Sequence, residues 1–200
     1  MDVVVSEKTP RTERGRRTLR KLLEAAAKEF GTNGYHDAAI TGITQRAGVA
    51  LGTFYTYFDS KEEVFRALVR DMSRTTRLHV AEAVKGSPDR LSAERTGLAA
   101  FISFTRRNPE LYRIIEEAQF VAQDVYREHY LSFVEGYRRN LAAARARGEI
   151  SEGPDELRAW ILIGMSVFLG MRYGIWNEDL PPAEVAEQTI EFVSQGLSRR

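Results

Sequence analysis

The sequence predicts an all-α protein, with an N-terminal three-helix head of helix-turn-helix type and a C-terminal helical body, about nine helices in all. Three observations predict it. Apolar residues recur at i, i+3 and i+4 through most of the chain, the stripe of an amphipathic helix. Glycine and proline interrupt that pattern at intervals suited to helices of ordinary length. No segment carries the strict alternation of a strand.

Taken in order, Leu19, Leu22, Leu23, Ala26, Ala27 and Phe30 mark the first helix, which Gly31-Thr32-Asn33-Gly34 should close. Two short helices follow, Ile40 to Ala47 and Leu51 to Phe58, separated by Gly48-Val49-Ala50. A three-residue turn between short helices is a helix-turn-helix signature. Ser60, with Glu63 three residues on, forms a capping box for a long fourth helix through Val64, Leu68, Met72 and Val84. Pro88 suits the first turn of a helix over 88–106. Asn108-Pro109 breaks the chain before helices over 109–119 and on to about Arg147. After the polar connector Gly148–Gly153, Pro154 opens the most apolar helix, ending near Trp176. Pro181-Pro182 begins a last helix with Val185, Ala186, Ile190, Val193 and Leu197 on one side.

The composition bounds the function. Of 200 residues 43% are hydrophobic and 28% charged, the balance of a globular protein with an adequate core. There is no cysteine, so no disulfide framework, zinc-thiolate site or thiol nucleophile is available, which fits a reducing cytoplasm. The start, three valines followed by charge, lacks the apolar stretch of an export signal. The longest apolar run, Trp160 to Met171, is about 12 residues, shorter than the roughly 20 that cross a bilayer; it reads as a buried helix, with no membrane partner.

Net charge is only +1, but it is unevenly placed. Residues 8–21 hold seven basic side chains against the single acid Glu13, whereas residues 62–200 hold 19 basic and 21 acidic ones. The basic end suits a polyanion. The histidines, His36, His79 and His129, lie far apart with no metal-ligand spacing and no nucleophile motif beside them; Glu128-His129 reads as a solvated pair. An enzyme is therefore disfavoured, and no cofactor or metal is expected. A nucleic-acid binder indifferent to sequence, carried by the basic arm, is the nearer alternative.

The run Ile40-Thr41-Gly42-Ile43-Thr44-Gln45-Arg46-Ala47-Gly48-Val49-Ala50-Leu51-Gly52-Thr53-Phe54-Tyr55-Thr56-Tyr57-Phe58-Asp59-Ser60-Lys61 resembles the DNA-binding core of TetR-family transcriptional regulators. The specific match covers about residues 16–68. Ile43, Val49, Phe54 and Phe58 can anchor the second short helix, leaving Leu51, Gly52, Thr53 and Tyr55 to face a major groove. The resemblance implies that Thr41 reaches a base or sugar and that Tyr57 and Lys61 hold phosphates. Arg16 and Arg17, in the basic segment, can add backbone contacts. Two residues depart from the family pattern. Ala39 and Ala50 stand where threonine and serine commonly cap the two short helices; Asp37 could cap the first instead, and the second has no substitute.

The resemblance further implies a domain order of a basic flexible arm over 1–15, a helix-turn-helix domain over 16–60 and an effector-binding and dimerisation domain over 61–200. It implies a homodimer through helices 154–177 and 181–197, a pseudo-palindromic double-stranded DNA operator, and repression released by a small, largely apolar effector. Candidate pocket residues are Phe101, Phe104, Tyr112, Ile115, Glu116, Gln119, Phe120, Trp160 and Tyr173.

Overall fold

The computed structural model describes residue 8 and residues 10–195. Among them are nine α-helices and no strand: α1 (Glu13–Asp37), α2 (Ile40–Ala47), α3 (Leu51–Tyr55), α4 (Lys61–Ala83), α5 (Arg90–Arg107), α6 (Glu110–Val121), α7 (Gln123–Ala146), α8 (Asp155–Gly170) and α9 (Pro182–Gln195). A π-helical segment, Met171–Trp176, continues α8. Most of the expected arm, and Leu197 of the last helix, lie outside the described residues.

Several boundaries differ from expectation, each for a local reason. Thr12 caps α1 by accepting from the Gly15 N–H at 3.1 Å, so the helix begins at Glu13 and takes in Arg14, Arg16 and Arg17. It does not close at Gly31 but runs on to Asp37, interrupted at Gly34, whose φ is 77° and ψ 169°. Asp89, not Pro88, starts α5: its carboxylate accepts from the Ser92 N–H at 2.8 Å. The Ser60 hydroxyl accepts from the Glu63 N–H at 3.1 Å as a capping box requires, whereas the returning Glu63 carboxylate takes the Asp59 N–H at 2.5 Å.

The chain divides into two compact units, the first formed by residues up to Met72 with Glu110–Tyr126, the second by Ser73–Pro109 with Arg127 onward. The unit that carries α2 and α3 thus takes in the start of α4 and all of α6. In its core Leu22, Ala26 and Phe30 of α1, Ile43 of α2 and Val64, Phe65, Leu68 and Val69 of α4 are buried, as are Leu111, Ile114 and Ile115 of α6. Phe30, Tyr35 and Phe65 pack ring against ring, the Phe30–Phe65 centroids lying 5.1 Å apart edge to face.

The second unit has two apolar clusters. Leu98 and Ile102 of α5 pack on Val185 and Ala186 of α9; Val134 and Leu141 of α7 pack on Ala159 and Ile163 of α8. Helix α8 is not the buried helix its composition suggested. Leu157, Trp160, Ile161 and Phe168 fall on one stripe and are exposed, Phe168 by 67%, with Trp176 at 68% beyond them. On α9, Phe192 and Val193 are exposed too, so Val193 leaves the face expected for it. The stretch Asp155–Trp176, 22 residues, is long and apolar enough by length and composition to cross a membrane. Its other side, however, is built into the Val134–Leu141 cluster.

His129 is likewise not solvated. Burial, with the Arg77 charge, pushes its imidazole down to about 4, and it packs against Tyr130 and Phe133 with centroids 4.8 and 5.1 Å away.

Candidate nucleic-acid interface

Gly48 closes α2 at φ 66°, a left-handed conformation that glycine adopts without a Cβ penalty, and its N–H reaches the Gln45 carbonyl at 3.2 Å. The chain then turns directly into α3. Phe54 and Phe58 are buried behind this helix, 5.6 Å apart between centroids. Leu51 (44% exposed) and Tyr55 (47%) point outward with Gly52, while Thr53 is half-buried. A Cβ on Gly52 would meet nothing within 4 Å. α3 is thus a stub of five residues, held from behind by two phenylalanine rings and offering an edge of small and apolar groups. Thr41 is exposed on the neighbouring helix.

Neither Ala39 nor Ala50 makes a side-chain cap, and Asp37 supplies none for α2. Glu29 of α1 does part of that work. Its side chain is buried, and Oε1 accepts from the Ala39 N–H at 3.4 Å and from Asn33 Nδ2 at 2.9 Å. Oε2 accepts from Arg46 Nε at 2.7 Å. Burial alone would raise this carboxyl; the Arg46, Ala39 and Asn33 hydrogen bonds outweigh it and hold it below the ordinary glutamate range. A carboxylate at the N-terminal end of α2 also suits the helix dipole. Gly42 makes room for it, since a Cβ there would stand 2.4 Å from Glu29 Oε1. Sequence reasoning missed Glu29. The signal was an acid on the apolar stripe of α1, between Ala26 and Phe30.

Lys61 is placed differently from a phosphate-facing lysine. Its ammonium donates to the carbonyls of Tyr35, His36 and Ala38 at 2.7, 2.9 and 2.9 Å and lies 4.8 Å from the Tyr35 ring centroid. It closes the frayed end of α1 where Gly34 has broken the helix. Helix α6 grips the same stretch: Glu117 accepts from the Tyr35 N–H at 2.8 Å, and Arg113 donates to the Gly31 and Thr32 carbonyls at 3.1 and 2.9 Å.

The half-buried Tyr57 hydroxyl donates to the Gly15 carbonyl at 3.2 Å, tying the segment after α3 to the start of α1. Arg16 folds back on Glu13 (3.1 Å) and the Arg11 carbonyl (3.3 Å), and Arg17 is exposed beside it. The structure thus gathers Arg16, Arg17, Thr41, Leu51, Gly52, Thr53, Tyr55, Tyr57 and Lys61 in one compact unit, with Tyr57 and Lys61 engaged by the protein's own carbonyls.

The nine residues proposed to line a pocket are divided between the units. Tyr112, Ile115, Glu116, Gln119 and Phe120 belong to the first and Phe101, Phe104, Trp160 and Tyr173 to the second. Ile115 is buried, while Glu116, Gln119 and Phe120 are exposed on α6, Phe120 by 84%. Trp160 is exposed on α8, Phe101 and Tyr112 are half-buried, and Phe104 packs against His79 at 5.1 Å. Tyr173 lines a cavity of about 400 Å3 with Met165, Leu169 and Val185.

A helix-turn-helix with a rigidly backed second helix, set on an otherwise all-α chain, defines a class of DNA-binding regulators. Residues 22–68 match the family model of bacterial regulatory proteins, tetR family. That segment, which contains α2 and α3, is the TetR-like part of this chain. Over 64 residues it is 41% identical to the HTH-type regulator YdgC of Bacillus subtilis, covering 32% of this chain and 33% of that one. Over 103 residues it is 31% identical to the HTH-type activator FasR of Mycolicibacterium smegmatis, covering 52% and 47%. These alignments span only a third to a half of those relatives' length.

The fold itself is shared along nearly the whole chain. FadR of Bacillus halodurans, a fatty acid degradation regulator, superposes with a TM-score of 0.80 at 17% identity, over 96% of this chain and all of that one. FadR of Bacillus subtilis, solved with stearoyl-CoA, gives 0.75 at 19% identity over 90% and 99%.

Proposed function

We propose that this protein is a ligand-responsive transcriptional repressor that binds a pseudo-palindromic DNA operator as a homodimer and is released by a small, largely apolar effector. The observation that carries this reading is the edge of α3: Leu51, Gly52 and Tyr55 stand clear of the protein while Phe54 and Phe58 lock the helix from behind. So short a helix can meet base edges only along that edge. Leu51 and the Thr53 methyl suit thymine methyls, and Gly52 lets the backbone come close.

Arg16, Arg17 and Tyr57 would meet the DNA backbone, and Thr41 a base or sugar. Lys61 has a double role in this reading. A phosphate would have to draw its ammonium from three carbonyls, so Lys61 serves first to order the segment that feeds α2. A second copy of the chain covers the exposed stripe of α8 with Phe192 and Val193 of α9, which places two heads on one operator. Gly164 lies open on α8 with nothing within 4 Å of a Cβ, which allows a partner helix a close approach. Lipid suits this face less well, because the helix's opposite side is packed in a protein core. The cytoplasm is the matching location.

An amphipathic effector suits the second unit, where Tyr173 lines a cavity with Met165, Leu169 and Val185, and stearoyl-CoA, bound by one fold neighbour, belongs to that chemical class. Effector and operator need only prefer different states of one equilibrium. The test is fluorescence anisotropy of the full chain on DNA from its own upstream region, with unrelated competitor DNA and a salt titration. Preference for the specific duplex of at least about 1,000-fold is expected. Equal affinity for all duplexes would overturn the reading in favour of an indifferent nucleic-acid binder.

A further inference from the structure

The second unit holds another cavity, of about 380 Å3, which shares no lining residue with the one beside Tyr173. It lies among α5, the end of α7, the 148–154 connector, α8 and α9, with Leu141, Ile161, Leu162 and Val193 among its apolar walls. Arg90 and Glu94, one turn apart on α5, also line it. Glu94 is 6% exposed, and its Oε1 lies 3.0 Å from Arg90 Nη2. That contact is off the line of the guanidinium N–H, so Glu94 Oε1 and Arg90 Nε are both buried without a hydrogen-bond partner. Native folds seldom keep an unpaired donor and an unpaired acceptor side by side unless something relieves them.

The remaining charges around the cavity are already used. Arg158 donates to the Ser151 carbonyl and hydroxyl and the Glu152 carbonyl at 2.6, 3.0 and 2.9 Å. Glu149 accepts from Arg147 and from the Arg90 backbone N–H at 2.5 and 2.8 Å. With Arg90 and Glu94 balancing one another, an ionic ligand would bring an uncompensated charge into a low-dielectric site. A neutral group carrying one donor and one acceptor meets both orphaned atoms at no such cost.

We propose that this cavity binds an uncharged amphipathic small molecule, whose amide or hydroxyl head pairs with Glu94 Oε1 and Arg90 Nε and whose apolar body lies against Leu141 and Leu162. The use of the site rests on the reading of the chain as ligand-responsive; binding itself is measured without DNA, so the two fail separately. Ile161 and Val193, at its rim, belong to the face assigned above to the second copy, so an occupant would sit against the dimer contact.

Isothermal titration of the full chain with octanamide and 1-octanol, against octanoate and octylammonium, tests the proposal. One neutral molecule per chain is expected to bind at least about tenfold more tightly than either charged homologue. The paired replacement Arg90→Met with Glu94→Met, which exchanges the ion pair for apolar groups of similar size, should cost octanamide about tenfold or more. Ile161→Trp, at an exposed rim position, should obstruct binding without touching the ion pair and stands in if the paired variant does not fold. Absence of saturable binding by both neutral probes, equal binding of the charged ones, or unchanged affinity in Ile161→Trp and the paired variant would each overturn it.

Discussion

The two units of this protein solve the same problem, covering the ends and faces of helices, in opposite ways. The first unit, which carries α2 and α3, covers its exposed backbone internally. Lys61, Arg113, Glu117 and Glu29 converge on the carbonyls and N–H groups between Gly31 and Ala39, so the broken end of α1 and the uncapped start of α2 are satisfied from within. The second unit leaves its largest apolar face open, along α8 and the outer side of α9. The head is thus finished as a single chain, whereas the body keeps an apolar face that the proposed second copy would cover. A head must keep one rigid edge to read DNA; a body that pairs must keep a face to pair with.

The strongest way to break this comparison is Gly164→Leu. Nothing in its own chain lies within 4 Å of that position, so the folded chain should tolerate it while the paired face does not. Sedimentation should show the dimer weakened by about 100-fold or more, with operator binding lost in parallel. An unchanged dimer would place the contact elsewhere.

Next in size is a substitution that strikes inside the second unit. A Cβ on Gly174 would stand 2.2 Å from Thr105 Oγ1, in a fully buried side chain of α5. Gly174→Ala should cost about 1–3 kcal/mol in urea unfolding. The result would show whether the π-helical segment is as tightly seated as its contacts imply, because a cost near zero means the segment can shift.

Glu29→Ala tests whether the head is finished from within. It leaves Arg46, Asn33 and the Ala39 N–H without their acceptor, for about 1–2 kcal/mol, Arg46 being half exposed. Because this carboxyl is held below its ordinary value, its contribution is complete at neutral pH. It fades as pH falls through the ordinary glutamate range and below, where the folded-state carboxylate also protonates. Wild type should therefore lose its margin over Glu29→Ala in acid, and a margin independent of pH would count against the assignment.

Lys61→Ala should lower operator affinity about tenfold for every sequence alike and loosen amide protection over 35–40, whereas a purely phosphate-binding lysine would leave that protection unchanged. The smallest effect is Thr53→Val, which should change base preference by about 1 kcal/mol at one position of each half-site, read from a panel of single-base operator variants.

Much of the head was legible in the sequence because its signals are local. The Gly48 turn, the buried spacing of Ile43, Phe54 and Phe58, and the Ser60 cap each act within a few residues. The contacts that complete the head were not legible, because they join distant positions. Glu29 meets Ala39 and Arg46, Lys61 meets Tyr35, and Glu117 meets the Tyr35 N–H across 82 residues. Asp37 was a reasonable candidate cap for α2, but the chain bends at Gly34 and brings Glu29 there instead.

The body was legible only as helices. Periodicity gave nine of them and their approximate ends, since the 3.6-residue repeat and the avoidance of helix by a residue before proline are properties of the local chain. It could not say which apolar face is covered. Trp160 to Met171 is apolar nearly all round, and only the packing of α7 on this helix decides that Ala159 and Ile163 face a core while Trp160, Ile161 and Phe168 face outward. Burial depends on what arrives from elsewhere in the chain. Local pattern was enough to set the kind of helix at each place and to mark the helix-turn-helix; which side chains of those helices remain exposed depended on packing between positions far apart in the chain.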